Sequence, residues 1–100
     1  MSVIQNYDSS ANKLVIRING SFNFNLHAAF RETYRNIEAE KKPEVIVDMQ
    51  NADYMDSSAL GMLLLLDEHF NGQTIKIEHC SEYIKQVLQV ANFDKKFKIS

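Results

Sequence analysis

The apolar positions of this chain follow two rhythms that alternate along its length. From Lys13 to Asn19, Leu14, Ile16 and Ile18 alternate with Val15, Arg17 and Asn19, the two-residue period of a half-buried strand. Val3 to Tyr7 predicts a short strand before it. The intervening Asp8-Ser-Ser-Ala-Asn12 has turn composition, so the two strands read as a hairpin. Gly20 breaks the alternation, and Ser21-Phe-Asn-Phe-Asn25 leads into a helix with Asn25 as candidate N-cap. The spacing predicts that helix from Leu26 to Glu40. Leu26, Phe30, Tyr34 and Ile37 form its inner stripe, with Arg31, Glu32, Arg35 and Glu38 in water. Lys41-Lys42 suit the C-terminal dipole, and Pro43 stops the helix.

A continuous apolar run, Val45-Ile-Val-Asp-Met49, then predicts a buried strand parallel to its neighbours. Gln50 to Met55 reads as a polar loop ending in Asp56-Ser57-Ser58, three residue types that favour a helix N-cap. A strongly apolar helix follows and closes near Asn71-Gly72, with the glycine suited to the left-handed C′ position. Thr74 to Glu78 alternates again, with Ile75 and Ile77 inward. Ser81 caps a short helix whose stripe is Ile84, Val87, Leu88 and Ala91, and Asn92 ends it. Phe97 and Ile99 alternate with lysines in a final strand or docked tail. This order implies an α/β fold: a mixed sheet of four to five strands with crossover helices.

One hundred residues are enough for one core and too few for two, which predicts a single domain over residues 1–100. Hydrophobic content of 45% with 24% charged residues is globular rather than disordered composition. A net charge of −2 gives no electrostatic reason to expect a nucleic-acid partner. The longest apolar run, Ala59 to Leu66, falls far short of a membrane span, and no secretory n-region precedes an apolar stretch at the N-terminus. The lone Cys80 has no internal disulfide partner and fits a reducing cytoplasm.

Candidate chemistry is sparse. His27, His69 and His79 lack the pairing or spacing of a metal site, so no metal is expected. Ser57 and Ser58 lack the Gly-x-Ser-x-Gly elbow and a neighbouring base, which argues against a hydrolase and against an enzyme in general. Gly20, Gly61 and Gly72 form no phosphate-cradling loop, and no cofactor is implied. Val45-Ile-Val-Asp48 superficially resembles the phospho-acceptor strand of receiver domains. The acidic pair of that family is missing after the earlier strand, where Ile18-Asn-Gly-Ser-Phe22 stands instead. Asp48 is therefore read as a carboxylate that bonds backbone N–H groups.

Two hydroxyls at the positive end of a helix, beyond the carboxyl end of a strand, allow a cap, an anion site or a modification site. The surrounding residues narrow this. Gly20-Ser-Phe-Asn-Phe24, Val45-Ile-Val-Asp-Met49, Tyr54-Met-Asp-Ser-Ser-Ala-Leu-Gly61 and Ala91-Asn-Phe93 together resemble the STAS family, in particular its anti-sigma factor antagonists. The resemblance implies a partner-switching cycle in which the unphosphorylated chain binds a kinase-type anti-sigma factor or a similar regulator. Phosphorylation by that serine kinase releases the chain, and a PP2C-type phosphatase resets it. It places the acceptor on Ser57, with Ser58 as fallback and Asp56, Asn23 and Gly61 around it. It places the partner surface at Phe22, Phe24, Met55, Ser58, Ala59 and Met62. Ala59 and Asn23 stand where relatives commonly carry Gly and Asp. The same family also contains non-phosphorylated subunits of transport complexes and small-ligand sensors, the alternative functional reading.

The helix after Asp56 has more apolar residues than one buried stripe requires. Either it is buried on two sides, or Met62 or Leu66 forms an exposed patch beside Ser57.

Overall fold

The computed structural model describes residues Met1–Ser100. Its sheet has five strands in the spatial order of the sequence: β1 (Ser2–Asp8), β2 (Lys13–Phe22), β3 (Glu44–Met55), β4 (Ile75–Glu78) and β5 (Phe97–Ile99). β1 and β2 pair antiparallel as the predicted hairpin, and every later pair is parallel. The hairpin turn is built by one side chain. The Asp8 carboxylate accepts from the Ser10 and Ala11 amides and from the Ser10 hydroxyl, and Asn12 takes a left-handed conformation.

Three helices, α1 (His27–Glu32), α2 (Ser57–His69) and α3 (Glu82–Val90), supply the crossovers. All three crossovers step the same way across the sheet, so right-handed connections put the helices on one face. That face holds the core: Leu14, Ile16, Ile18, Val45, Val47, Ile75 and Ile77 point into it beneath Leu63, Leu66, Ile84 and Leu88. The other face carries Arg17, Glu44, Asp48, Lys76 and Lys98, joined in part by a Lys76–Glu44 ion pair at 2.8 Å.

Three predicted segments differ from the observed ones. β2 runs through Gly20 to Phe22 instead of breaking, because Gly20 adopts φ +80° in the strand. A Cβ there would also lie 3.2 Å from Met1 Cα.

The helix expected over 26–40 is much shorter. Asn23, not Asn25, is the cap: its Oδ1 accepts from the Asn25 amide and opens a 3₁₀ turn, Phe24–Leu26, ahead of α1. After Glu32 the α ladder stops. The Thr33 hydroxyl and amide both take the Phe30 carbonyl, and the Tyr34 and Ile37 amides bond three residues back. The tightened path still buries Phe30, Tyr34 and Ile37, as the stripe predicted.

The third difference bears on the site. Gln50 to Met55 is strand, not loop, so β3 has twelve residues against ten in β2. Two bulges absorb the two extra residues, one opposite Ile18 and one at Asp53. Each bulge turns the next side chain, so Met49, Ala52 and Met55 all face the core at a spacing of three. The strand thereby ends with Met55 buried and Asp56 leaving the sheet.

Candidate functional site

Phe22 and Met55 are register partners at the carboxyl ends of β2 and β3, so the turns that follow them leave the sheet side by side. Both side chains are buried and hold those ends down. The Asp56 amide donates to the Phe22 carbonyl at 3.4 Å, and the Tyr83 hydroxyl of α3 donates to the Met55 carbonyl at 3.2 Å. The start of α2 is therefore tied to β2 on one side and to α3 on the other.

Asp56 caps α2 as predicted. It has extended backbone, and its Oδ1 accepts from the Ser58 and Ala59 amides at 3.1 and 3.2 Å. The same oxygen accepts the Ser58 hydroxyl at 2.6 Å. That hydroxyl bond, helped by the two amides and opposed by partial burial, holds the Asp56 carboxyl below its ordinary value. Ser57 is the first residue of α2, exposed, and its hydroxyl has no partner in the chain. The two serines thus differ in kind: one belongs to the cap, the other is free. Asn23 orders the neighbouring turn, accepting from Asn25 and donating to the Ser21 hydroxyl at 3.0 Å.

The far end of α2 closes in a Schellman arrangement. The Asn71 amide bonds the Glu68 carbonyl and the Gly72 amide the Asp67 carbonyl, which puts Asn71, rather than Gly72, at the left-handed C′ position.

The residues expected to form a partner surface separate into two groups. Phe22, Met55, Ala59 and Met62 are at most 3% exposed, so their side chains belong to the core and offer almost no surface. Leu66 is buried too, which removes the patch expected at Met62 or Leu66. Phe24 is 65% exposed, and Ser58 lies partly open. The apolar side chains that α2 does expose are Leu64 and Leu65, on the face that also carries Ser57 and Gly61. A Cβ on Gly61 would meet nothing within 4 Å.

A groove of about 410 Å³ opens beside Ser57, between Leu60 of α2 and Tyr83, Val87 and Val90 of α3. Val90 is 86% exposed, and Tyr83 stacks on Tyr54 with ring centroids 6.3 Å apart. The sequence reading missed this wall. Its one signal was Val90, an apolar residue off the inner stripe of α3.

The histidines lie apart. His27 stacks on Phe24, His69 Nε2 bonds the Ile37 carbonyl, and His79 Nδ1 faces Asp48 at 3.0 Å. Asp48 sits on the open sheet face with Arg17 at 3.2 Å and accepts the Gln50 amide at the first bulge. Bonding backbone N–H is thus only part of its role.

The sequence and the five-stranded fold match known proteins. The STAS domain family model matches residues 3–100. The chain belongs to the STAS family. A STAS-domain containing protein of Pseudomonas aeruginosa (strain UCBPP-PA14) is 42% identical over 90 residues, 88% of each chain. Among solved structures, the anti-sigma factor antagonist SpoIIAA in its unphosphorylated form superposes with a TM-score of 0.75 at 15% identity. That match covers 99% of this chain and 87% of that one. The phosphorylated form of the Bacillus cell fate determinant SpoIIAA gives 0.69 at 14% identity, covering 99% and 91%. A protein with a SpoIIAA-like fold from Shewanella loihica PV-4 gives 0.56 at 15%, covering 99% and 84%. At these identities the structures establish the fold.

Proposed function

We propose that this chain is an anti-sigma factor antagonist-like protein whose partner binding is switched by reversible phosphorylation of Ser57. The observation that carries the reading is the division of labour at the α2 start, with Ser58 hydrogen-bonded to Asp56 and Ser57 exposed and unpartnered. In the cycle, a kinase-type anti-sigma factor or similar regulator binds the unmodified chain. It transfers the γ-phosphoryl group of ATP to Ser57 Oγ and releases ADP. A PP2C-type phosphatase hydrolyses the ester and restores the hydroxyl. The chain itself supplies no catalysis and acts in the cytoplasm.

The physics of release is local. The phosphate brings about −1.5 to −2 charges to a surface that had none at that atom. The N–H groups and dipole at the start of α2 stabilise it within the domain, so the fold is kept. An apolar or acidic partner surface loses by the same charge. A cost of roughly 3 kcal/mol lowers affinity about a hundredfold. Phe24, Ser57, Gly61, Leu64 and Leu65 form the exposed strip that the partner reads.

Incubation with the cognate kinase and ATP, followed by intact-mass measurement, tests the assignment. One phosphate is expected on the wild type and on Ser58→Ala, and none on Ser57→Ala. Uptake by Ser57→Ala, or no uptake by any protein, overturns it.

A further inference from the structure

We propose a second site, away from Ser57: the groove between α1 and α2 binds a small hydroxylated organic anion through one oxyanion head. The groove has a volume of about 640 Å³, within the range of small-molecule sites. It opens at the C-terminal half of α2, at Leu65, Glu68 and His69. These positions lie eight to twelve residues beyond Ser57, or about 12 to 18 Å along a helix. The proposal does not depend on the phosphorylation reading.

Tyr34 and Arg31 bring donors without a protein partner to the groove. Tyr34 is only 5% exposed as a residue, and its hydroxyl, which makes no hydrogen bond within the chain, opens to the groove. The neighbouring Thr33 and His69 side chains are engaged elsewhere. The Thr33 hydroxyl bonds the Phe30 carbonyl, and His69 Nε2 bonds the Ile37 carbonyl at 2.8 Å. A phenol hydroxyl facing a groove without a protein partner is free to bond a ligand oxygen. Arg31, one turn before Tyr34, has no carboxylate partner, whereas Arg35 is paired with Glu32 at 3.0 Å. A free guanidinium offers only donors, in the fork that fits a carboxylate or phosphate.

The remaining groups limit what else the ligand carries. Arg35 is neutralised by Glu32, and Glu68 stands on the opposite wall, so the groove balances one anionic head rather than a polyanion. Glu68 and Asn36 offer acceptors that suit hydroxyl groups. Apolar lining is confined to Leu65 and the Tyr34 ring, too little for an acyl chain. Sugar phosphates and sugar acids share this chemistry.

The test is titration of the ¹⁵N-labelled full chain with ribose 5-phosphate, with gluconate and with neutral ribose. Saturable amide shifts confined to residues 27–37 and 64–69 are expected with one or both anions and not with ribose. Response to only one anion identifies the head as phosphate or carboxylate. Arg31→Gln is expected to weaken binding roughly tenfold to a hundredfold, the range for a charged hydrogen bond. Tyr34→Phe keeps the packed ring and is expected to weaken binding several-fold. No saturable shift, an equal response to ribose, or unchanged affinity in Arg31→Gln overturns the site. A well-dispersed spectrum of each variant shows that it is folded.

Discussion

The Ser58 hydroxyl donates to Asp56 Oδ1 across 2.6 Å, and this bond separates two adjacent serines into a structural one and an available one. Asp56 is a three-way acceptor, so removing one donor leaves the two amide bonds of the cap in place. Ser58→Ala is therefore expected to lower unfolding free energy by about 0.5–1.5 kcal/mol. Ser57→Ala, at an exposed hydroxyl without a partner, is expected to stay within about 0.5 kcal/mol of wild type. Urea unfolding of the two variants reads the difference without any partner protein. Equal losses would refute the separation.

The same contrast recurs further along α2. Met62 is 3% exposed and Leu65 is 49% exposed, three residues apart on one helix. Truncating a buried methionine removes its transfer free energy and leaves a cavity. Met62→Ala is expected to cost about 2–5 kcal/mol. Leu65→Ala is expected to change stability by no more than about 0.5 kcal/mol. Thermal unfolding ranks them. A Leu65→Ala loss as large as that of Met62→Ala would mean that the exposed face is packed.

These residues also mark where the sequence was legible. Leu14, Ile16 and Ile18 in β2 and Ile75 and Ile77 in β4 alternate cleanly, because each strand has only one face in the core. Asp56 and Ser81 were recognisable as caps because the side chain and the amides it satisfies are local in sequence. Gln50 to Met55 was opaque for a physical reason. Two bulges turn a two-residue period into a spacing of three at Met49, Ala52 and Met55, which matches no regular element. The length of α1 depended on Thr33 competing for the Phe30 carbonyl, a choice that apolar spacing does not record. In α2 the run from Met62 to Leu66 has no polar residue to fix its phase, so the exposed pair, Leu64 and Leu65, could not be told from the buried ones. The groove against α3 depends on tertiary packing, and only Val90 hinted at it.

On the open face of the sheet, Asp48 should govern the acid limb of stability. Burial pushes its carboxyl up, but the Gln50 amide, the His79 ring and the Arg17 guanidinium outweigh that and hold it below the ordinary value. A carboxyl depressed in the folded state contributes stability in full above its unfolded pKa of about 3.9. The contribution is lost as pH falls through the lower folded value. Asp48→Asn is therefore expected to be less stable than wild type at neutral pH, with the gap narrowing below about pH 4. Denaturant titrations at neutral and acid pH check this. A gap that stays constant with pH would show that Asp48 acts by packing alone.

Gly61 carries the last prediction. It lies one turn after Ser57 on the exposed face of α2, with no neighbour within 4 Å of where a Cβ would be. Its φ is not positive, so neither a clash nor an unusual conformation requires glycine there. Within a helix, glycine costs about 0.8–1 kcal/mol relative to alanine. Gly61→Ala is thus expected to stabilise the isolated chain by about that amount, read as a rise in the midpoint of thermal unfolding. On the proposed function, what offsets this cost lies outside the chain: the absent side chain lets a partner approach the helix backbone beside the switch serine. The same substitution is then expected to weaken binding of the unphosphorylated chain to its kinase-type partner by about tenfold, which corresponds to roughly 1.4 kcal/mol. Calorimetric titration of wild type and variant measures it. Stabilisation with unchanged affinity would exclude Gly61 from the interface, and destabilisation would show that the glycine serves the fold after all.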